Sequence, residues 1–285
     1  MILIRKPEKI YSLARKFKRV GKRIGFVATM GAMHVGHLSL IKMARRDNDI
    51  VVASIFVNPA QFAPNEDFKK YPRNLKEDMA LSKKAGVDIL FYPEAGAMYP
   101  IGYKTFVNVS ELSQRLCGKS RPAHFQGVAT VVLKLFNLIQ PDTAYFGQKD
   151  AQQAIIIKKM VADLNLPVLI KVMPIVREAN GLAMSSRNRY LNTQERSDAA
   201  VLFRALQEAK LMVKRGERNV DLIIQRMKDI ILKARTAKID YISIVELDSL
   251  DKVDRISGQC LIALAVRIGK TRLIDNLIVN SKKNG

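Results

Sequence analysis

IGFVATMGAMHVGHLSL, residues 24–40, decides the fold. An apolar run over residues 24–28 meets a glycine-bearing turn, and a segment with helical periodicity follows from His37 to about Arg46. That order reads as strand, tight turn and helix, the βα unit of an open α/β sheet, and such sheets bind ligands at the carboxyl ends of their strands. Gly31 and Gly36 lack a Cβ, so main-chain amides there can approach a bulky anion, and the first helical turn adds unpaired N–H groups and partial positive charge. His34 and His37, three apart, point to one side of that turn. The chain holds three histidines, and two of them fall here. A polyphosphate whose charge is redistributed during reaction suits this arrangement. Zinc would need a third ligand, and Cys117 and Cys260 stand far apart with no CxxC pairing.

Outward from this unit the same alternation continues. Residues 1–21 read as a short strand and a basic helix, 7–20, leading into the first core strand. IVVASIFV, residues 50–57, is the near-continuous apolar run of a parallel strand covered on both faces. It enters a proline-rich polar loop carrying Gln61, whose amide can both donate and accept. A helix over 71–85 should stop at Gly86, followed by a strand at 87–92, a short strand at 105–109 and a helix at 111–116 capped by Ser110. The loop of residues 118–128 places Lys119, Arg121 and His124 before an apolar helix, 128–139; loop anchoring and anion contact both fit them. Residues 143–146 form a further strand that runs into Gly147, Gln148, Lys149 and Asp150 before a helix at 151–164, repeating the geometry of the opening unit. Lys149 suits a phosphate as a point charge, Asp150 a helix cap or ribose hydroxyls, and Gln153 lies one turn on. After a strand at 167–175, GLAMSSRNRYL (181–191) sets Ser185 and Ser186 beside Arg187, donors that suit a triphosphate. A loop of this kind can close when nucleotide is present.

Past this point the pattern changes to amphipathic helices at 193–215 and 220–234, divided by Gly216, and strands at 241–247, 261–268 and 273–277. The expected architecture is a Rossmann-like parallel-sheet domain, residues 1–177, and a smaller α+β domain, residues 178–285.

At 285 residues, with 48% apolar and 26% charged side chains, the composition is that of a globular protein. Lys and Arg number 48 against 26 Asp and Glu, a net +22 that suits nucleic acid, an anionic membrane or small anionic substrates. The excess lies in scattered clusters, such as residues 15–23 and Lys282 with Lys283, without aromatic interleaving or a nucleic-acid motif. It reads as solvated surface, with no nucleic-acid or membrane partner expected. Lys134 interrupts the longest apolar run, and MILIRKPEKI is too short a stretch for a signal peptide, so a cytoplasmic protein with reduced thiols is expected.

Taken together, TMGAMHVGH, SIFVNPAQF with PNEDFKKYPR, LCGKSRPAHFQGVATVV, AYFGQKDAQQ and VREANGLAMSSRN resemble the pantothenate synthetase (pantoate–β-alanine ligase) family nearly end to end. Ordered blocks of this kind are far more specific than HxGH alone. The HxGH and SSR elements also resemble the wider nucleotidyl-transferring superfamily. The resemblance implies a cytoplasmic homodimer that makes pantoyl-adenylate and pyrophosphate from pantoate and ATP, with magnesium bridging the phosphates, before β-alanine displaces AMP. It places Met30, Gly31, Ala32, Met33, His34, Val35, Gly36 and His37 around ATP, with His37 as proton donor to the departing pyrophosphate and His34 its partner. Gly147, Gln148, Lys149, Asp150, Val176, Met184, Ser185, Ser186 and Arg187 would hold nucleotide, Lys149 and Arg187 stabilising charge. Gln61 would bind pantoate and β-alanine, Gln153 pantoate, and no metal-ligating side chains are implied. Val35, Ala63, Ala123, Gln148, Ala151 and Asn180 depart from the family's usual residues, and none removes a group assigned to chemistry. Another HxGH adenylyltransferase would leave the Gln61 and Gln153 blocks without a purpose.

Overall fold

The structure, a computed structural model, describes residues 1–63, 66, 68 and 70–281. Pro64, Asn65, Asp67 and Lys69 of the proline-rich block, and the Lys282 and Lys283 pair, lie outside the described residues. The chain divides into two compact units, Met1–Gln148 with Gln152–Pro174, and Lys149–Ala151 with Ile175–Gly285.

The first unit alternates strand and helix: β1 (Ile2–Ile4), α1 (Pro7–Arg19), β2 (Ile24–Thr29), α2 (Val35–Asp47), β3 (Ile50–Ile55), α3 (Leu75–Ala85) and β4 (Ile89–Phe91). It continues through α4 (Ala95–Met98), α5 (Cys117–Ser120), α6 (His124–Ile139), β5 (Thr143–Gly147), α7 (Ala151–Asp163) and β6 (Leu169–Met173). The six strands make one parallel sheet in the order β1-β4-β3-β2-β5-β6. Helical crossovers cover both faces of such a sheet, so its strands are apolar without alternation. Phe26 and Val27 on β2, and Val51 and Ala53 on β3, accordingly have no exposed surface. From β2 the chain builds toward β3 and β4, then returns to the other side of β2 for β5 and β6. The order reverses between β2 and β5, and the loops leaving their carboxyl ends are where a doubly wound sheet opens its crevice. The Rossmann-like expectation for this unit is met.

Differences from the sequence reading have local causes. Residues 105–109 are not a strand, because the Val107 N–H donates to the Thr130 hydroxyl on α6 (2.9 Å) and not to a neighbouring strand. In place of a helix over 111–116 there is a single 3-10 turn, Leu112–Gln114, with Glu111 at φ 61° as its N-cap and no side-chain cap from Ser110. The backbone turns left-handed at both ends, Glu111 at φ 61° and Leu116 at φ 40°, and the Gln152 amide holds that shape by donating to the Leu112 and Arg115 carbonyls (2.9 and 2.7 Å) and accepting the Cys117 N–H at 3.0 Å. Helix α3 starts at Leu75 instead of residue 71. Pro72 disfavours helix at the residue before it, and Asn74 caps α3 by accepting the Glu77 N–H. Gly86 ends it in the left-handed region at φ 98°, as expected.

The second unit holds α8 (Thr193–Ala199), α9 (Val201–Lys214), α10 (Val220–Ile231) and an antiparallel sheet of β7 (Ala237–Glu246), β8 (Gly258–Ile268) and β9 (Thr271–Ser281). The expected helix over 193–215 is two, since the Ala200 N–H bonds back only three residues to Ser197. Leu202, Leu206, Ile223 and Met227 on the helices form one buried cluster with Ile262, Leu264 and Val266 on β8, giving the α+β body expected.

One polar cluster of the first unit yields a pH prediction. Asp47, at the end of α2, accepts from Lys171 Nζ (2.7 Å) and the Tyr145 hydroxyl (3.0 Å), and that hydroxyl accepts from Asn48 (2.9 Å). The Lys171 hydrogen bond holds the Asp47 carboxyl at about 2, against an ordinary 3.8, while burial raises Tyr145 to about 12. A carboxyl depressed by folding stabilises above its unfolded value and loses that contribution as pH falls through the folded one. Asp47→Asn is expected to cost roughly 1–2 kcal/mol near neutral pH, the cluster being partly open to solvent. Urea melts of both proteins should converge between pH 3.8 and about 2. A gap that persists at the acid end would show that the carboxylate charge is not what stabilises.

Candidate active site

In the first unit, the turn after β2 is built by its own backbone and one buried acid. Thr29 donates its hydroxyl to the Ser54 carbonyl (2.8 Å) and accepts the Gly31 N–H (3.1 Å). Gly31 and Ala32 then lie at φ 84° and 50°, a conformation that glycine adopts without strain. Asp78 on α3, 2% exposed, accepts the N–H groups of Ala32 (3.0 Å) and Met33 (2.7 Å). A Cβ on Gly31 would lie 2.9 Å from that carboxylate. The amides of Ala32 and Met33 therefore point inward to Asp78, and the Gly36 N–H is taken by His34 Nδ1 (3.2 Å). These three amides are satisfied within the chain, two of them by the Asp78 carboxylate. What the turn offers instead are side chains. His34 is the N-cap of α2, and its ring stacks on that of His37 with centroids 4.0 Å apart.

Gln61, 8% exposed, ends a 3-10 turn at Pro59–Gln61 after β3. Its Oε1 accepts from Asn58 Nδ2 (3.2 Å), and its Nε2 donates to Met30 Sδ (3.0 Å), so the structure brings Gln61 and the HxGH turn together. Asn58 also donates to the Gly127 carbonyl (3.0 Å), and a Cβ on Gly127 would lie 2.2 Å from the Ala60 carbonyl oxygen, so α6 packs directly against this turn. The choice left open for the third histidine resolves to anchoring. His124 Nδ1 donates to the Gln61 carbonyl (2.7 Å), and Arg121 forks onto Glu66 (2.5 and 2.7 Å). Burial pushes the Glu66 carboxyl up, but the hydrogen bonds and charge of Arg121 outweigh it and hold it below its ordinary range. Ala123, one of the departures, sits at φ 65°, a left-handed conformation that glycine adopts without strain. Gly147 and Gln148 end and follow β5, and Gln153 is half-buried in the first turn of α7.

In the second unit, Lys149 lies 3.7 Å from Asp150 and gives its carbonyl to Asn276 Nδ2 (2.9 Å). Val176 accepts the Met184 N–H (2.9 Å), and Arg177 bridges to Ala183, forming a tight hairpin. Asn180, another departure, accepts the Leu182 N–H with its side-chain oxygen (3.0 Å), as Asp would. Ser185 then caps a 3-10 turn, Ser186–Tyr190, by accepting the Arg187 N–H (3.3 Å). Asn188 pins that turn to Glu178 (2.8 Å) and to the Ala183 carbonyl (3.1 Å). The loop is thus held by its own polar side chains.

Over residues 2–278 the chain matches the family model described as pantoate-beta-alanine ligase. It belongs to the pantoate-beta-alanine ligase family. Curated relatives include the pantothenate synthetase of Caldicellulosiruptor bescii, 54% identical over 99% of this chain and 100% of the relative. That of Heliobacterium modesticaldum is 55% identical over 98% of this chain and 99% of the relative. Among solved structures, pantothenate synthetase from Thermus thermophilus superposes with a TM-score of 0.92 at 42% identity, over 97% of this chain and 99% of that one. Pantoate-beta-alanine ligase from Francisella tularensis, described as complexed with beta-gamma ATP and beta-alanine, gives 0.81 at 36% identity, over 98% and 97%.

Asp78, Asn58 and Gln152 are structural residues that the sequence reading passed over, Asp78 and Asn58 bracing the turns that carry Met30 and Gln61 and Gln152 holding the segment around Leu112. All three are buried polar residues whose partners are main-chain groups distant in sequence. Among the described residues, no group of three or more His, Cys, Asp and Glu side chains is arranged to hold a metal ion. None of the described helices is long and apolar enough to cross a membrane.

Proposed function

We propose that this enzyme joins pantoate to β-alanine with ATP, through pantoyl-adenylate. The observation that carries the reading is the stacked His34 and His37 pair at the N-terminus of α2, on a turn whose Met30 meets the Gln61 amide. In the first step the pantoate carboxylate, already ionised near neutral pH, attacks the α-phosphorus of ATP and expels pyrophosphate. No strong base is needed; the barrier is lowered by alignment and by cationic donors where negative charge builds up. His37 donates to the leaving pyrophosphate and His34 orients it, while Lys149 and Arg187 stabilise phosphate charge. Met30, Gly31, Ala32, Met33, Val35 and Gly36 shape the ATP-facing turn. Gly147, Gln148, Asp150, Val176, Met184, Ser185 and Ser186 complete nucleotide binding, and Gln61 and Gln153 hold pantoate. In the second step the β-alanine amine, as the free base, attacks the acyl carbon; AMP leaves with the electron pair of the broken acyl–oxygen bond, and the amine's surplus proton passes to solvent as the amide forms.

Magnesium would enter with ATP as its counter-ion and offset phosphate charge. The family resemblance extends the reading to a cytoplasmic homodimer, with residues 1–177 binding nucleotide and pantoate and residues 178–285 acting as a lid.

The test is pyrophosphate release from Mg-ATP, first with pantoate alone and then with β-alanine, following AMP in parallel. A single-turnover burst of pyrophosphate on pantoate, with AMP and steady turnover only after β-alanine, is expected. Folded protein that binds ATP and releases neither product would overturn the reading.

A further inference from the structure

We propose that Asn276 is a positioning residue for Lys149, braced by the Arg177 and Asp275 pair, and that it serves the adenylate-forming half of the reaction. The inference rests on the function proposed above. A lysine ammonium rides on a flexible four-carbon stem, so its aim depends on how firmly its main chain is held. Lys149–Ala151 go with the second unit, and the Asn276 carboxamide on β9 holds the Lys149 carbonyl at 2.9 Å. Asn276 donates its own N–H to Asp275 Oδ1 (2.8 Å), and the same carboxylate receives the Arg177 fork at 2.6 and 3.0 Å. Arg177 also donates to the Gly181 carbonyl (3.0 Å) and lies 4.4 Å from the Phe203 ring centroid. Gly181 is held at φ 90°, and a Cβ there would come within 2.1 Å of Phe203. The pair therefore fixes two things: the hairpin that carries Val176 and Met184, and, through Asn276, the segment of Lys149.

Stability alone does not explain this choice of residues. Asp275 and Asn276 are consecutive, 2% and 4% exposed, set in β9 between the apolar pairs Leu273–Ile274 and Leu277–Ile278 and opposite Leu264 and Ala263. A buried ion pair is often no more stabilising than well-packed apolar side chains of the same volume, and buried polar groups are costly unless bonded. Burial pushes the Asp275 carboxyl up, and the bonds and charge of Arg177, with a smaller contribution from Lys149, oppose it. The bonds of both residues run to segments assigned to nucleotide.

The experiment is a double-mutant cycle on single-turnover pyrophosphate release from Mg-ATP and pantoate, in wild type, Asn276→Ala, Lys149→Ala and the double variant. Asn276→Ala should slow the burst roughly tenfold to a hundredfold, the scale of a small misplacement of a catalytic group. The KM for ATP should move less, and the double variant should be no slower than Lys149→Ala. Asn276→Asp, which keeps the shape but loses the donor, should behave like Asn276→Ala and stands in if the alanine variant does not fold. Displacement of AMP from preformed pantoyl-adenylate by β-alanine should be nearly unchanged. Multiplicative losses in the double variant, or equal slowing of both half-reactions, would mark a structural role and overturn the inference. A wild type that forms no pyrophosphate would instead overturn the activity reading, and this inference with it.

Discussion

His37→Ala should slow pyrophosphate formation roughly thirtyfold to a thousandfold, about 2–4 kcal/mol in the barrier, with ATP affinity little changed. The size follows from the role: a donor aimed at charge that builds on the departing phosphate strengthens mainly in the transition state, so its loss appears in kcat. Its neighbour gives the control. His34 accepts the Gly36 N–H and caps α2, so His34→Ala should combine a catalytic loss with roughly 1 kcal/mol of lost stability, the ordinary cost of removing a helix cap. His37 lies within α2, past its cap, so its alanine variant should melt close to wild type. Rapid-quench measurement of pyrophosphate on pantoate, together with equilibrium binding of ATP, separates the two effects. A burst in His37→Ala as fast as in wild type would remove His37 from the chemistry and leave it a ring packed on His34.

The βα units were legible because period and punctuation agree. Residues 24–40 fold as strand, glycine turn and helix, as their pattern requires, and Gly86 ends α3 where a left-handed residue is needed. The histidine pair was legible for the same reason, since helical spacing alone brings residues three apart to one side. Residues 105–116 were misread because their hydrogen bonds go to Thr130 and Gln152, partners no local window contains. The glycine turn was half-legible. Its shape follows from Gly31, but the direction of the Ala32 and Met33 amides is set by Asp78, more than forty residues on. In the sequence Asp78 is one acid in the first turn of a helix, a place where acids are common for the sake of the helix dipole.

Asp78→Ala is for that reason expected to be among the most damaging substitutions in the first unit. It strips the acceptor from the N–H groups of Ala32 and Met33, residues 3% and 2% exposed. Each buried donor left without a partner costs about 1–3 kcal/mol, so roughly 2–6 kcal/mol of stability should be lost with two. The turn has a second reason to fail. Ala32 is held at φ 50°, a conformation an L-residue keeps only when its surroundings enforce it, and the Asp78 carboxylate supplies two of the bonds that do so. Released, the backbone that carries Met30, His34 and His37 should relax, and the contact of Gln61 with Met30 should loosen with it. Asp78→Asn separates the two effects, because it keeps the shape and one acceptor oxygen but turns an NH₂ toward one of the two donors. It should therefore lose less stability than alanine and still lower kcat. Chemical denaturation of all three proteins, with pyrophosphate release under conditions where each is folded, gives both quantities. If Asp78→Ala proves as stable as wild type, the amides of Ala32 and Met33 have found other acceptors. The conformation of the HxGH turn would then be set by Thr29 and Gly31 without the carboxylate.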